Sequence, residues 1–284
     1  MLQEMGIRLW NSAPAAAPPA SPPPAATAGV AGVADVAGAV GAAQAALEAP
    51  VTREAPPQRA VASSAAQAPR AAQAPPGVAP DDARGAAIAA ADWPTLRDAV
   101  AACQACGLCA TRRQTVFGVG HPQAHWMIVG EAPGEQEDRQ GEPFVGDSGQ
   151  LLDNMLHALR LTRAPSTPAQ QVFIANALKC RPPRNRNPEA VELARCEPFL
   201  QRQIELIRPR IILAMGRFAV QSLLRSAEPI GKLRGRVHRY HEVPLVVTYH
   251  PAYLLRNPAD KARAWDDLCL AAQVVEAATQ AAAA

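Results

Sequence analysis

Aromatic side chains make up only 4% of this 284-residue chain, and the shortage is uneven. Between Asn11 and Asp92 there is none, and that stretch holds one leucine, Leu47, and one isoleucine, Ile88. Alanine, proline, glycine and valine fill most of it, and Pro22-Pro23-Pro24, Pro56-Pro57 and Pro75-Pro76 interrupt any long helix. Such a composition cannot bury enough apolar surface to offset the entropy of ordering. Residues 11–91 are therefore expected to be a disordered Ala/Pro-rich linker, with transient helix at most. Also missing is any run of about 18 apolar residues free of proline, glycine and charge, so no membrane-spanning helix is expected. With Glu4 early, and neither a basic start nor a long apolar stretch, the first residues do not read as a signal peptide. The expected location is cytoplasmic, the cytosol or nucleoid of a bacterium.

Strong charge of either sign is lacking too. Up to Ala90 five arginines face six carboxylates, a net of −1, which leaves +4 for the remainder of a chain whose total is +3. That balance alone does not argue for nucleic acid. The local distribution says more, because Arg181, Arg184 and Arg186 fall within six residues and Arg234, Arg236 and Arg239 within another six. Such clusters serve either as solvated surface or as phosphate contacts. Ahead of the linker, residues 1–10 (MLQEMGIRLW) are apolar at Leu2, Met5, Ile7, Leu9 and Trp10. A short apolar peptide on a tether with an r.m.s. reach of about 50 Å suits docking to a replication or repair partner. Gly6-Ile-Arg-Leu-Trp10 faintly resembles the peptides that bind bacterial sliding clamps.

A globular domain is expected over residues 92–284, with α/β rhythm. Its centre is Gly130 to Gly149, GEAPGEQEDRQGEPFVGDSG, between a short apolar strand at Trp126–Val129 and a helical repeat at Leu151, Leu152, Met155, Leu156 and Leu159. The insert reads as a strand-to-helix loop, and in a parallel sheet such loops line the ligand crevice. Its five glycines let backbone approach a ligand closely. Phe144, alone in a polar loop, reads as a stacking platform. Further strands are expected around Val172–Ile174 and Arg210–Ala214, with a strand pair at Val237–Tyr240 and Val243–Val247. The last strand runs into Thr248-Tyr-His-Pro-Ala-Tyr-Leu-Leu-Arg256, which puts His250 at a strand's carboxyl end.

Six cysteines in a cytoplasmic chain favour metal ligation over disulfides. Asp92 caps a helix with Leu96, Val100 and Cys103 on its apolar face, leading into Cys103-Gln-Ala-Cys106. Far along, Cys180 follows a strand and Cys196 sits on a helix. C-x2-C with a distant pair suits zinc or an iron-sulfur cluster, and spacing does not choose between them. Cys109 forms an alternative C-x2-C with Cys106, and Cys269 reads as a core residue. Between Cys180 and Cys196 lies CRPPRNRNP. Its prolines stiffen a lip that would present Arg184, Asn185 and Arg186 to DNA.

Gly130-Glu-Ala-Pro-Gly134 with Glu137-Asp138, Pro143-Phe-Val-Gly146, Asn176, CRPPRNRNP, four cysteines and His250-Pro-Ala-Tyr-Leu-Leu-Arg256, in this order, resemble the family 4 uracil-DNA glycosylases over roughly residues 93–275. The resemblance implies a three-layer α/β/α fold with a central four-stranded, mostly parallel sheet. It also implies a [4Fe-4S] cluster on Cys103, Cys106, Cys180 and Cys196, with Cys109 a bystander. The activity implied is monofunctional hydrolysis of the uracil N-glycosidic bond in single- or double-stranded DNA, by a monomer. The pocket would then use Phe144 for stacking, the Glu131–Gly134 backbone (Ala132, Gly134) for the uracil oxygens, Asn176 for base reading and His250 as donor to the leaving group. Ala132 stands where better-known glycosylases have a water-positioning Asp, so Glu131, Glu137 or Asp138 would assist electrostatically. Tyr253, Leu254, Leu255 and Arg256 supply a wedge and a cation for the emptied duplex. Two other classes stand beside this reading. One is a noncatalytic nucleic-acid-binding protein with a four-cysteine zinc site. The other is a nucleotide-processing enzyme, against which the missing Walker lysine and the acids of the loop both argue.

Overall fold

The computed structural model describes residues 82–283. The expected docking segment at 1–10 and the linker as far as residue 81 lie outside them. The linker boundary at residue 91 needs correction: Asp82–Ala90 form a helix, α1. Its Ile88 is buried together with Ala91, and Arg84 lies 4.8 Å over the Phe199 ring. One isoleucine in an alanine-rich run carries no helical period, and the surface that folds it comes from far along the chain. α2 (Trp93–Ala101) starts as expected, with the Asp92 carboxylate accepting from Thr95 N at 3.0 Å.

A two-residue strand β1 (Val119–Gly120) precedes β2 (Trp126–Gly130). The Gly130–Gly149 stretch, expected as loop, contains a short helix α3 (Glu135–Gln140), closed by Gly141 in the left-handed conformation at φ 78°. α4 (Asp147–Ala158) carries the expected leucine and methionine face. Then follow β3 (Phe173–Asn176), α5 (Ala190–Ile207), β4 (Ile211–Met215), α6 (Arg217–Leu224) and α7 (Ile230–Leu233). The hairpin β5 (Val237–Tyr240) and β6 (Val243–Thr248), α8 (Pro251–Arg256) and α9 (Lys261–Ala283) complete the order. Among the described residues no helix is long and apolar enough to cross a membrane.

The six strands form one sheet in the order β1-β3-β2-β4-β6-β5. The four central strands are mutually parallel, and the expected four-stranded sheet is widened by an antiparallel strand at each edge. Alternation along the buried strands divides the core in two. Met127, Val129, Ile212, Ala214, Leu245 and Val247 face α2, α5 and α6, whereas Trp126, Ile128, Leu213, Met215 and Val246 face α4, α8 and α9. Three α/β/α layers result. The chain leaves β2 for β3 on one side and returns to β4 on the other, so the strand order reverses between β2 and β4. A ligand crevice is expected beyond the carboxyl ends there.

Candidate active site

Register brings the strand ends level: Gly130 pairs with Asn176, and Met215 with Thr248. Glu131, Asn176, Gly216 and His250 therefore open onto one cleft of about 1150 Å³, which Phe144 also lines. Gly130 makes the convergence possible. A Cβ there would collide with Asn176 Oδ1 and lie 2.6 Å from Phe144 Cζ, so only glycine lets the amide and the ring meet over the end of β2. The Phe144 ring in turn stacks on the His250 imidazole, with centroids 5.2 Å apart at 23°.

Phe144 is held with φ 55°, a left-handed conformation that side chains rarely adopt without external support. Three contacts supply it. Glu137 Oε1 accepts from Val145 N at 3.0 Å and from Gly146 N at 3.4 Å, and its Oε2 accepts from Gly134 N at 3.0 Å. Arg163 Nη1 donates to Pro143 O at 3.0 Å. Gly149, at the start of α4, leaves room for the Phe144 carbonyl. One buried carboxylate thus fastens the Gly130 turn to the Phe144 loop. Glu137, expected as an electrostatic assistant, is a brace whose two oxygens are committed to backbone, and the Gly134 N–H expected to meet uracil is committed to it. The neighbouring Asp138 is also buried and accepts from Arg113 N at 3.0 and 3.1 Å.

Glu131 crosses the point where the strand order reverses. Its Oε1 accepts from Phe218 N at 3.1 Å, capping α6, whose own N-cap Gly216 has φ 95° and no side chain. Burial pushes the Glu131 pKa up, opposed by these backbone donors. The Ala132 N–H has no protein acceptor among the described residues and lines the cleft. Asn176 is 2% exposed, yet its carboxamide makes no hydrogen bond to the described residues. Its polar atoms are not among the fully enclosed unpartnered ones, and they face the cleft.

His250 caps α8. Its Nδ1 accepts from Ala252 N at 3.1 Å, which leaves Nε2 as the nitrogen that carries the proton. Burial, followed by the nearby Arg256 charge, pushes its pKa down from 6.5 to about 4. The imidazole is therefore neutral at pH 7 and a donor at Nε2.

On the expected DNA lip the structure separates residues the sequence had grouped. Arg186 forms a two-pronged pair with the buried Glu192, at 2.6 and 2.9 Å, and Arg181 is tied to Glu135 and Asn185. Arg184, exposed at φ 54°, has no acidic partner among the described residues. On α8, Leu254 is wholly buried and cannot act as a wedge, whereas Leu255 is 44% exposed. Tyr253 stacks on Tyr249 at 5.0 Å and donates from its hydroxyl to Asp260 at 2.7 Å, which anchors α8 beside the exposed Leu255. Arg256 is exposed at the cleft.

Cys103, Cys106, Cys109, Cys180 and Cys196 line one small cavity, so the structure does not itself set Cys109 apart from the four expected ligands. Cations and amides point at the sulfurs. Arg112 Nη1 lies 3.1 Å from Cys180 Sγ, Arg84 Nη2 3.6 Å from Cys103 Sγ, and Lys179 N 3.2 Å from Cys196 Sγ. Four thiols ringed by positive donors fit a group bound through negative sulfur. Among the described residues no three His, Cys, Asp or Glu groups gather around a single ion-sized point. The sequence reading missed Gly130, Arg163 and Gly216. Only a non-local contact reveals each of them, although Gly134-x-x-Glu137 is a legible capping pattern.

A family profile described as the Uracil DNA glycosylase superfamily matches residues 117–269. The chain is 44% identical over 172 residues to the type-4 uracil-DNA glycosylase of Sulfurisphaera tokodaii, covering 57% of this chain and 76% of that one. It is 39% identical over 187 residues to the type-4 enzyme of Pyrobaculum aerophilum, covering 63% and 92%. Against that of Thermotoga maritima it is 39% identical over 170 residues, covering 59% and 85%. With its profile match over more than half its length, the chain belongs to the uracil-DNA glycosylase superfamily.

Proposed function

We propose that this chain removes uracil from DNA in repair, hydrolysing the N-glycosidic bond of an extruded nucleotide to leave free uracil and an abasic site. The observation that carries the reading is the meeting of Phe144, the unpartnered Asn176 amide and the neutral His250 in one cleft. A target base must leave the stack before its glycosidic bond can be reached. Asn176 donates from Nδ2 to O4 and accepts at Oδ1 from N3–H. Cytosine presents the opposite pattern, so its entry would strand buried polar groups, a mismatch that discriminates strongly. Phe144 provides the stacking face and the free Ala132 N–H a further donor.

Bond cleavage leaves positive charge on the sugar and negative charge on uracil. The His250 Nε2–H donates to O2 as that charge develops, and a neutral donor needs no proton to be supplied from solution. No carboxylate is assigned as general base, because Glu137 holds two loops and Glu131 caps α6. Leu255 enters the emptied duplex, and Arg184 and Arg256 contact phosphate.

Cys103, Cys106, Cys180 and Cys196 would hold a [4Fe-4S] cluster, which when bound pins both ends of the Pro182–Pro188 lip and need not exchange electrons. The thiol cavity and its ring of donors support this assignment.

The test is release of free uracil from a uracil-containing oligonucleotide by anaerobically purified protein, read by alkaline cleavage of the abasic product. Wild type is expected to cleave, and His250→Ala or Asn176→Ala to lower the single-turnover rate by about 100-fold or more with DNA affinity little changed. Absence of uracil release by the loaded wild type would remove the reading.

A further inference from the structure

Lys179 is 1% exposed, and the mechanism above makes no use of it. Lysine is almost never fully buried unless paired, because its charge loses hydration. Here no carboxylate pairs with it among the described residues. Its Nζ donates to two neutral oxygens instead: the main-chain carbonyl of Asn176 at 2.8 Å and Oε1 of the fully buried Gln203 at 2.6 Å. Gln203 Nε2 passes the chain on to Phe117 O at 2.9 Å. The Lys179 main chain is fixed on both sides, its N–H by Cys196 Sγ at 3.2 Å and its carbonyl by Val116 N at 2.8 Å. The Cys196 and Cys180 sulfurs act electrostatically on the Lys179 charge, and would do so as thiolates once they ligate a metal group.

We propose that Lys179 is a positioning residue: it clamps the Asn176 carbonyl from behind and ties the base-reading amide to the four-cysteine site, so that a loaded site holds Asn176 in register. Asn176 ends β3 in register with Gly130, and its side chain makes no hydrogen bond to the described residues. Its orientation is therefore set by its backbone, and among the described residues the side chain holding that carbonyl is that of Lys179. Lys179 is in turn adjacent to one cysteine and hydrogen-bonded to another. The inference rests on the uracil-release reading for the meaning of the amide, and goes beyond it by assigning what aims that amide.

The experiment is a double-mutant cycle in the full chain, loaded with its cluster, with Lys179→Met, Asn176→Ala and the pair, read by single-turnover uracil release, by binding to a non-cleavable uracil analogue in DNA and by visible absorbance of the bound cluster. Lys179→Met is expected to lower the rate by about 10–100-fold, the scale of a small misplacement of a reacting group, with absorbance retained. In the Asn176→Ala background the further loss is expected to stay within about 3-fold, since residues acting through one contact do not add. A near-normal rate for loaded Lys179→Met would overturn the proposal. So would equal losses in both backgrounds, the signature of general destabilisation. If Lys179→Met does not accumulate as loaded protein, the same cycle with Lys179→Leu, which also removes the donor, decides by the same two outcomes. Failure of wild type to release uracil would instead remove the functional reading, so the two failures are distinguishable.

Discussion

The cleft at the strand ends and the arginine lip beside it differ in what the protein leaves unsatisfied. In the cleft an amide and a backbone N–H have no partner among the described residues, and an imidazole is kept neutral with its donor outward. On the lip the reverse holds. Arg181 and Arg186 are paired with Glu135, Glu189 and Glu192, leaving Arg184 as the arginine without an acid. In the proposed reading, the groups that read a base are withheld from internal partners, because an unmade hydrogen bond in a closed site is what confers discrimination. Groups that shape a loop are satisfied internally and contribute to DNA binding only indirectly.

The largest test of this contrast is Gly130→Ala. The added methyl displaces the Asn176 amide or the Phe144 ring, and turnover is expected to fall by about 100-fold in single-turnover release, against little change in DNA binding. A tolerated alanine would mean that the ring and amide need not meet. Next is Glu137→Gln, which exchanges a charged acceptor for a neutral one across three backbone donors. A loss of about 1–3 kcal/mol in unfolding free energy is expected, together with weaker uracil discrimination, both measurable on one preparation.

Smaller effects should separate the lip residues. Arg184→Ala is expected to reduce the slope of log affinity against log salt by about 0.9, the release of counterions from one phosphate. Arg186→Ala is expected to leave that slope nearly unchanged while lowering stability, because it strands the buried Glu192. Equal slopes for the two variants would erase the distinction drawn here.

How much of this was legible beforehand depends on where the determining contacts lie. The four central strands follow from local pattern, and the fold gathers Phe144, Asn176 and His250 in one cleft; the choice of four cysteines rests on the family resemblance, since Cys109 shares their cavity. β1 was invisible because two residues become a strand only by pairing with β3, and α1 because its one isoleucine needs the surface of α5. The pairing of Arg186 with Glu192 could have been suspected from spacing, whereas the burial of Leu254 beside exposed Leu255 depends on how α8 meets the core. Lys179 left a trace that went unread: a lone charge in the apolar run from Val172 to Cys180 signals a buried role.

The central claim is that a neutral imidazole, poised over the pocket, assists departure of uracil. The most direct measurement is the single-turnover rate of uracil release between pH 4 and 8. Because the folded pKa of His250 is depressed from 6.5 to about 4, the neutral donor persists across this window and is lost only as pH falls toward 4. The account predicts a rate with no His250 ionisation near pH 6.5 and a decline only toward pH 4, absent in His250→Ala. A rate that climbs as pH drops through 6.5, demanding an imidazolium, would contradict it.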